Sequence, residues 1–172
     1  NDKGIIEFVQ TLIKLKKNKV FVNSIIVGDG ILMQSVQKIV KKNNLQNIYF
    51  TGQIRHNDIY YYLDFSDIYV SLNKLGNLSN TVLEAYNSKK CIVLLDSCER
   101  TKKDISTRNM FRDNVLYINR KNIVNSLFEQ IIYLNDTVNL NRLKLKITNS
   151  KIKIPNWETR IEKEITLLKE IK

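Results

Sequence analysis

The chain has 172 residues, 43% of them hydrophobic, with 5 glycines and 1 proline, a composition that suits one globular domain and excludes collagen-like and disordered classes. A domain of this size buries about 70% of the surface its unfolded chain exposes, so it can build a core without disulfides or metal. Lysine and arginine number 28 against 17 acidic residues, a formal charge of +11, which favours an anionic partner: nucleic acid, acidic lipid or a phosphorylated small molecule.

Cys91 and Cys98 are too few for a disulfide framework and lack the Cys/His company that zinc requires, which fits a reducing compartment. No run approaches the roughly 18 apolar residues of a membrane span, and Asn1-Asp2-Lys3-Gly4 has no signal-peptide pattern. The expectation is a soluble, cytoplasmic protein. A chain that opens on Asn1 and already reads as helix by Ile5 points to a processed product or an excised domain.

Short β-branched or aromatic runs alternate with amphipathic segments, the pattern of βαβ units and a mostly parallel sheet between helical layers. Ile5, Phe8, Val9, Leu12, Ile13 and Leu15 predict a helix over 5–17. A strand over 24–27 meets the turn Gly28-Asp29-Gly30, and Leu32, Val36, Ile39 and Val40 give the next helix its apolar stripe. The second unit is a strand over 48–51, a turn at Gly52 and a helix over 57–65. Of Tyr60, Tyr61 and Tyr62, which point in different directions on a helix, one or two are expected in the core.

A strand over 68–72 leads through a loop to a helix over 80–87, with Ser79 or Asn80 as its N-cap. The unbroken apolar run Ile92-Val93-Leu94-Leu95 reads as a central parallel strand covered on both faces. A polar stretch extends to Asp113, followed by a strand over 115–118 and a helix over 122–134. Two helical stretches close the chain, the last starting near Trp157 with Ile161, Ile165, Leu168 and Ile171 on one face. No linker divides residues 1–172, so a single domain is expected.

His56 is the only histidine and sits beside a predicted helix start, where it reads as a surface or capping residue. Cys91 reads as a small core residue, and Cys98 lies in a polar loop with no assigned role. Gly28-Asp29-Gly30 lies where glycines let backbone amides approach a phosphate, although Met33 replaces the third glycine of the dinucleotide fingerprint; a plain tight turn fits equally. In the segment 76–85 a small-residue loop runs into a helix whose first turn would present amides of Ser79, Asn80 and Thr81 to a diphosphate. Glu84, one turn further, is either a carboxylate able to accept hydrogen bonds from ribose hydroxyls or a solvated helix glutamate.

An ordered set of motifs then carries a resemblance: Lys3-Gly4, Val27-Gly28-Asp29-Gly30, Tyr49-Phe50-Thr51-Gly52-Gln53-Ile54, Ser66-Asp67-Ile68-Tyr69-Val70-Ser71, Asn80-Thr81-Val82-Leu83-Glu84-Ala85 and Trp157-Glu158-Thr159-Arg160. Together they resemble the C-terminal domain of GT-B glycosyltransferases of family four, over nearly the whole chain. The resemblance implies a Rossmann-like domain that binds a nucleotide-diphosphate sugar, most often uridine-linked, at the carboxyl ends of its strands, for retaining transfer to a glycan or lipid-linked acceptor. It implies that the lysine matching Lys3 pairs with the donor diphosphate and that Glu84 binds the ribose hydroxyls. Amides at Ser79, Asn80 and Thr81 then hold phosphate, Gly28 faces the donor, and the base meets backbone near Ile54. No cofactor or metal is expected, in keeping with the family's metal-independent habit.

The chain departs from that pattern in three ways. The first of the family's paired glutamates falls at position 76, which is Gly76, so the sugar would be held differently, through Asn73 or Asn77 for instance, or donor preference has changed. Lys89 and Cys91 replace a helix-ending glycine and a strand-opening proline, both structural changes. The partner acceptor domain and the strand that precedes Lys3, with its phosphate-binding arginine, lie outside the sequence. The chain alone is therefore expected to be inactive, with a strand missing from its sheet and the apolar face of the last helix exposed or driving association.

A second reading is a non-catalytic basic α/β module for nucleic acid or another polyanion. The lysines are spread rather than striped and interleave with no stacking aromatics, which disfavours specific nucleic-acid binding. Peripheral contact with an anionic membrane face is compatible with the glycosyltransferase reading.

Overall fold

The computed structural model describes residues 3–76, 78–96, 105–152, 154 and 157–170. Among the described residues five strands alternate with helices in βα order. They are β1 (Ser24–Val27), β2 (Ile48–Gly52), β3 (Ile68–Ser71), β4 (Cys91–Leu95) and β5 (Leu116–Ile118). The helices are α1 (Ile5–Lys17), α2 (Met33–Lys42), α3 (Ile59–Asp64), α4 (Asn80–Asn87), α5 (Ile105–Phe111), α6 (Ile123–Asn135), α7 (Thr137–Thr148) and α8 (Trp157–Glu170).

All the ladders are parallel, but they form two sheets, β1-β2 and β3-β4-β5, rather than one continuous one. The helix α1 spans both. Its Val9 joins Ile26, Val36 and Val40 in a small core, while Leu12 and Leu15 enter the large core around β4. On one side α1 packs against α2 and α6; elsewhere α3 packs against α4, giving the α/β/α layering that βαβ order dictates. Every residue of β4 is buried, the arrangement its unbroken apolar run calls for.

Two local readings change. The helix expected over 57–65 is split into a 3-10 turn at His56–Asp58 and the short α3, closed at its start by an exposed Arg55–Asp58 ion pair of 3.1 Å. Core contact in α3 comes from Ile59 and Leu63, because Tyr60 and Tyr61 are exposed and Tyr62 is only half-buried; no tyrosine of the trio is a core residue. The polar stretch before β5 also contains a helix, α5, whose Thr107 and Phe111 are buried. Cys91 is buried as expected, and burial pushes its thiol up to about 11. Cys98 lies outside the described residues. Along α8, Ile165 and Leu168 are exposed, and no helix among the described residues is long and apolar enough to cross a membrane.

At the start of α1 the backbone approaches the end of β3 closely. Gly4 has φ 69°, and a Cβ there would stand 2.4 Å from the Cβ of Leu72. Both the left-handed conformation and the contact exclude a larger residue. Gly4→Ala is expected to cost about 2 kcal/mol or more, a fall in Tm of roughly 5 °C or more by thermal melting; an unchanged Tm would mean the contact is absent.

Candidate functional site

Open α/β sheets bind ligands outside the carboxyl ends of their strands, where loops enter helices. On this edge β3 runs into the loop that opens α4. Ser79, extended at φ −102° and ψ 160°, caps the helix, its Oγ accepting from the Val82 amide at 3.4 Å. Ser79 Oγ lies 3.0 Å from Thr81 Oγ1, which accepts the Tyr69 hydroxyl of β3 at 2.9 Å. The head of α4 is thus lined by a chain of three hydroxyls, with Asn80 half-buried among them.

One turn on, Glu84 is buried at 7% exposure. The solvated-glutamate reading fails, because α4 is enclosed: every residue from Val82 to Tyr86 is buried. A carboxylate taken out of water needs a partner. Glu84 has one in His56, whose Nε2 stands 3.0 Å from Glu84 Oε1. His56 is thus a half-exposed surface residue, but one partnered with a buried carboxylate rather than a lone one. The negative charge of Glu84 also reaches Tyr69, whose hydroxyl is pushed above its ordinary value first by burial, against the Thr81 hydrogen bond, and then by that charge.

The start of α1 is tied to the same loop. Lys74 donates to Glu7 Oε1 at 2.5 Å, while Arg120, just beyond β5, donates to the carbonyls of Asp96 at 2.5 Å and Lys74 at 3.1 Å. Burial raises the Glu7 carboxyl, but the Lys74 hydrogen bond and charge outweigh it and hold the group below its usual range. Together with the Gly4–Leu72 contact, this brings Lys3, exposed in the turn ahead of α1, to the edge from which the β3–α4 loop enters α4.

The other expected donor positions lie on the same ends of strands. Gly28 follows β1, but its N–H is committed to the Gly52 carbonyl at 3.0 Å, so it offers no amide to a phosphate. The space above its Cα is open. Ile54 follows β2, partly buried against the large core just ahead of His56.

Of the residues considered for the missing carboxylate, Asn73 accepts from the Leu75 amide at 3.2 Å within its own loop, and Asn77 lies outside the described residues. Gly76 sits at φ 155°, a backbone that residues with a Cβ rarely adopt. A glutamate there is expected to cost about 1–3 kcal/mol, so Gly76→Glu lowers Tm, readable by melting; an equally stable variant would contradict this. A concavity of about 520 Å3 beside Arg108, Arg112, Tyr117 and Lys146 contains none of the expected donor residues. Among the described residues no group of His, Cys, Asp or Glu could hold a metal ion.

Comparison with known proteins adds the ancestry. A glycosyltransferase from Rickettsia africae shares the fold with TM-score 0.71 and 19% identity, over 99% of this chain and 45% of that one. The C-terminal domain of a group 1 glycosyl transferase from Francisella tularensis gives TM-score 0.69 and 20% identity, over 90% of this chain and 82% of that one. A TarM variant from S. aureus, solved in complex with Fondaparinux, alpha-GlcNAc-glycerol and UDP, gives TM-score 0.65 and 21% identity, over 97% of this chain and 33% of that one. The chain thus spans less than half the length of the Rickettsia protein and of TarM. A comparison with curated proteins finds no match. The family of glycosyl transferases group 1 matches residues 1–136, most of the 172-residue chain, and the chain belongs to that family, with the fold of a GT-B C-terminal domain.

Proposed function

We propose that this chain is the donor-binding half of a retaining glycosyltransferase, which takes a sugar from a nucleotide diphosphate, uridine-linked, to a glycan or lipid-linked acceptor held by a second domain. The observation that carries this reading is the buried Glu84 carboxylate one turn behind the hydroxyl-lined start of α4, on the carboxyl edge of the strands. A ribose diol donates two hydrogen bonds, and a desolvated carboxylate is its strongest acceptor.

In this reading Glu84 accepts the ribose hydroxyls, and the helix start at Ser79, Asn80 and Thr81 faces the diphosphate, where the helix dipole favours negative charge. Lys3 follows the diphosphate as a mobile point charge. As the bond from sugar to diphosphate breaks, negative charge grows on the leaving group, and these same groups stabilise it. The open space above Gly28 and the backbone at Ile54 border the donor. The exposed Ile165 and Leu168 of α8 belong to a surface that the acceptor domain covers, and without that domain the chain binds donor but transfers nothing. The protein works in the cytoplasm, at the membrane face when its acceptor is lipid-borne. TarM, crystallised with UDP, offers a precedent for the donor on this fold.

The test is calorimetric titration with uridine, adenosine and guanosine diphosphates at physiological salt, which suppresses nonspecific charge binding. Saturable binding of uridine diphosphate, weakened about tenfold in Lys3→Ala, supports the reading. If no diphosphate binds and a random oligonucleotide does, the chain is a basic polyanion-binding module instead.

A further inference from the structure

Glu84 has three side-chain torsions, and its carboxylate serves a diol only if it is held in one orientation before the ligand arrives. The 3.0 Å approach of His56 Nε2 to Glu84 Oε1 supplies that restraint from a different element, the 3-10 turn between β2 and α3. The turn itself is pinned. Arg55 spans it to Asp58, and Ile59 and Leu63 anchor the following helix in the core. The imidazole is about half exposed while the carboxylate is buried, so the pair sits at the boundary between solvent and site. Tyr69 of β3, within reach of the Glu84 charge, gives its hydroxyl to Thr81.

We infer that His56 is a positioning residue for Glu84, and that preference for ribose over 2′-deoxyribose in the bound nucleotide depends on it. This rests on the donor-binding reading above. His56 holds Oε1 through an Nε2–H donor, a donor in both the Nε2-protonated neutral tautomer and the imidazolium. The carboxylate is thereby held in one orientation, with Oε2 buried in the protein and Oε1 beside the half-exposed imidazole. The histidine contacts no sugar atom in this scheme; its contribution is to spare the ligand the ordering of the carboxylate.

The experiment compares dissociation constants of uridine diphosphate and 2′-deoxyuridine diphosphate for the wild-type chain, His56→Ala and His56→Gln, with a melting curve for each. Glutamine places an N–H donor near the position of Nε2 and is the conservative replacement. The wild type is expected to favour the ribonucleotide by about tenfold, the effect of one hydrogen bond to a charged group. In His56→Ala that ratio falls to about two or less, because the ribonucleotide loses more than the deoxynucleotide, which has only its 3′-hydroxyl to give to Glu84; His56→Gln recovers most of the preference. A stability loss alone would not move this ratio. An unchanged ratio in His56→Ala overturns the role of His56 while leaving donor binding intact. Tighter binding of both nucleotides in that variant also overturns it, because the histidine would then compete with the ligand for the carboxylate. Failure of the wild type to bind either nucleotide overturns the donor-binding reading, and this inference with it.

Discussion

Glu84→Gln is expected to weaken uridine diphosphate binding by about 10- to 100-fold while moving Tm by no more than roughly 3 °C. The two halves of this expectation have one cause. Glu84 is a buried carboxylate, and carrying it inside the fold costs desolvation that an ion pair with the half-exposed His56 must work against. The amide has nearly the same shape and no charge, so the folded chain loses little. A bound diol, in contrast, would lose a charged acceptor and face an amide that presents a donor on one side. Titration and melting of the same preparation separate the outcomes. Unchanged affinity would remove Glu84 from the site, and a collapse of Tm would make it a structural residue.

Phe111→Ala is expected to be the most destabilising single change considered, by about 3–5 kcal/mol, a fall in Tm of roughly 10 °C for a domain of this size. Phe111 closes α5 and is fully buried. Its ring centroid lies 4.9 Å from that of Tyr86, tilted by 40°, so it joins α5 to α4, the helix that carries Glu84. Deleting the ring leaves a cavity between two helices and the fully buried β4, where the surroundings have little freedom to collapse. Tyr86→Ala measured alone and with Phe111→Ala should show coupling of about 0.5–1.5 kcal/mol between the rings. Denaturant titration reads all three variants, and a loss below about 1 kcal/mol in Phe111→Ala would place the ring outside the core.

The strands and most helices are legible in the sequence because their apolar residues keep a period that one fold satisfies. The run 92–95 has no polar alternation and is buried throughout, and the stripe of 5–17 splits between two cores as a helix spanning both must. The helix α5 escapes such reading because it has two turns in a polar stretch, and its buried Thr107 and Phe111, one turn apart, with an Arg108–Asp96 ion pair of 2.9 Å, are too few to set a period. Division of the strands into two sheets is also hidden, since local pattern specifies a strand and not its neighbours.

At the site, Ser79 is legible as a cap by residue type and position, and the structure makes it one. The burial of Glu84 is not legible, because glutamates on helices are mostly exposed and only the enclosure of α4 reverses this. The partnership with His56 is hidden for a related reason: it joins residues on different βα units, and one sequence has no local signal for such a pair. Tyr69 and Thr81 are visible only as members of a strand and a helix, and their bond arises from the parallel placement of β3 ahead of α4.

The most direct test of the donor site is a uridine diphosphate titration followed by amide nitrogen–proton NMR on the isotope-labelled chain. Saturating shifts are expected at residues 54, 56, 79–81 and 84, together with the turn at residue 3, and small changes along the lysine-rich exposed face of α1 at Lys16 and Lys17. Shifts spread over the lysine-bearing surfaces without saturation, sparing Ser79 to Glu84, would contradict it.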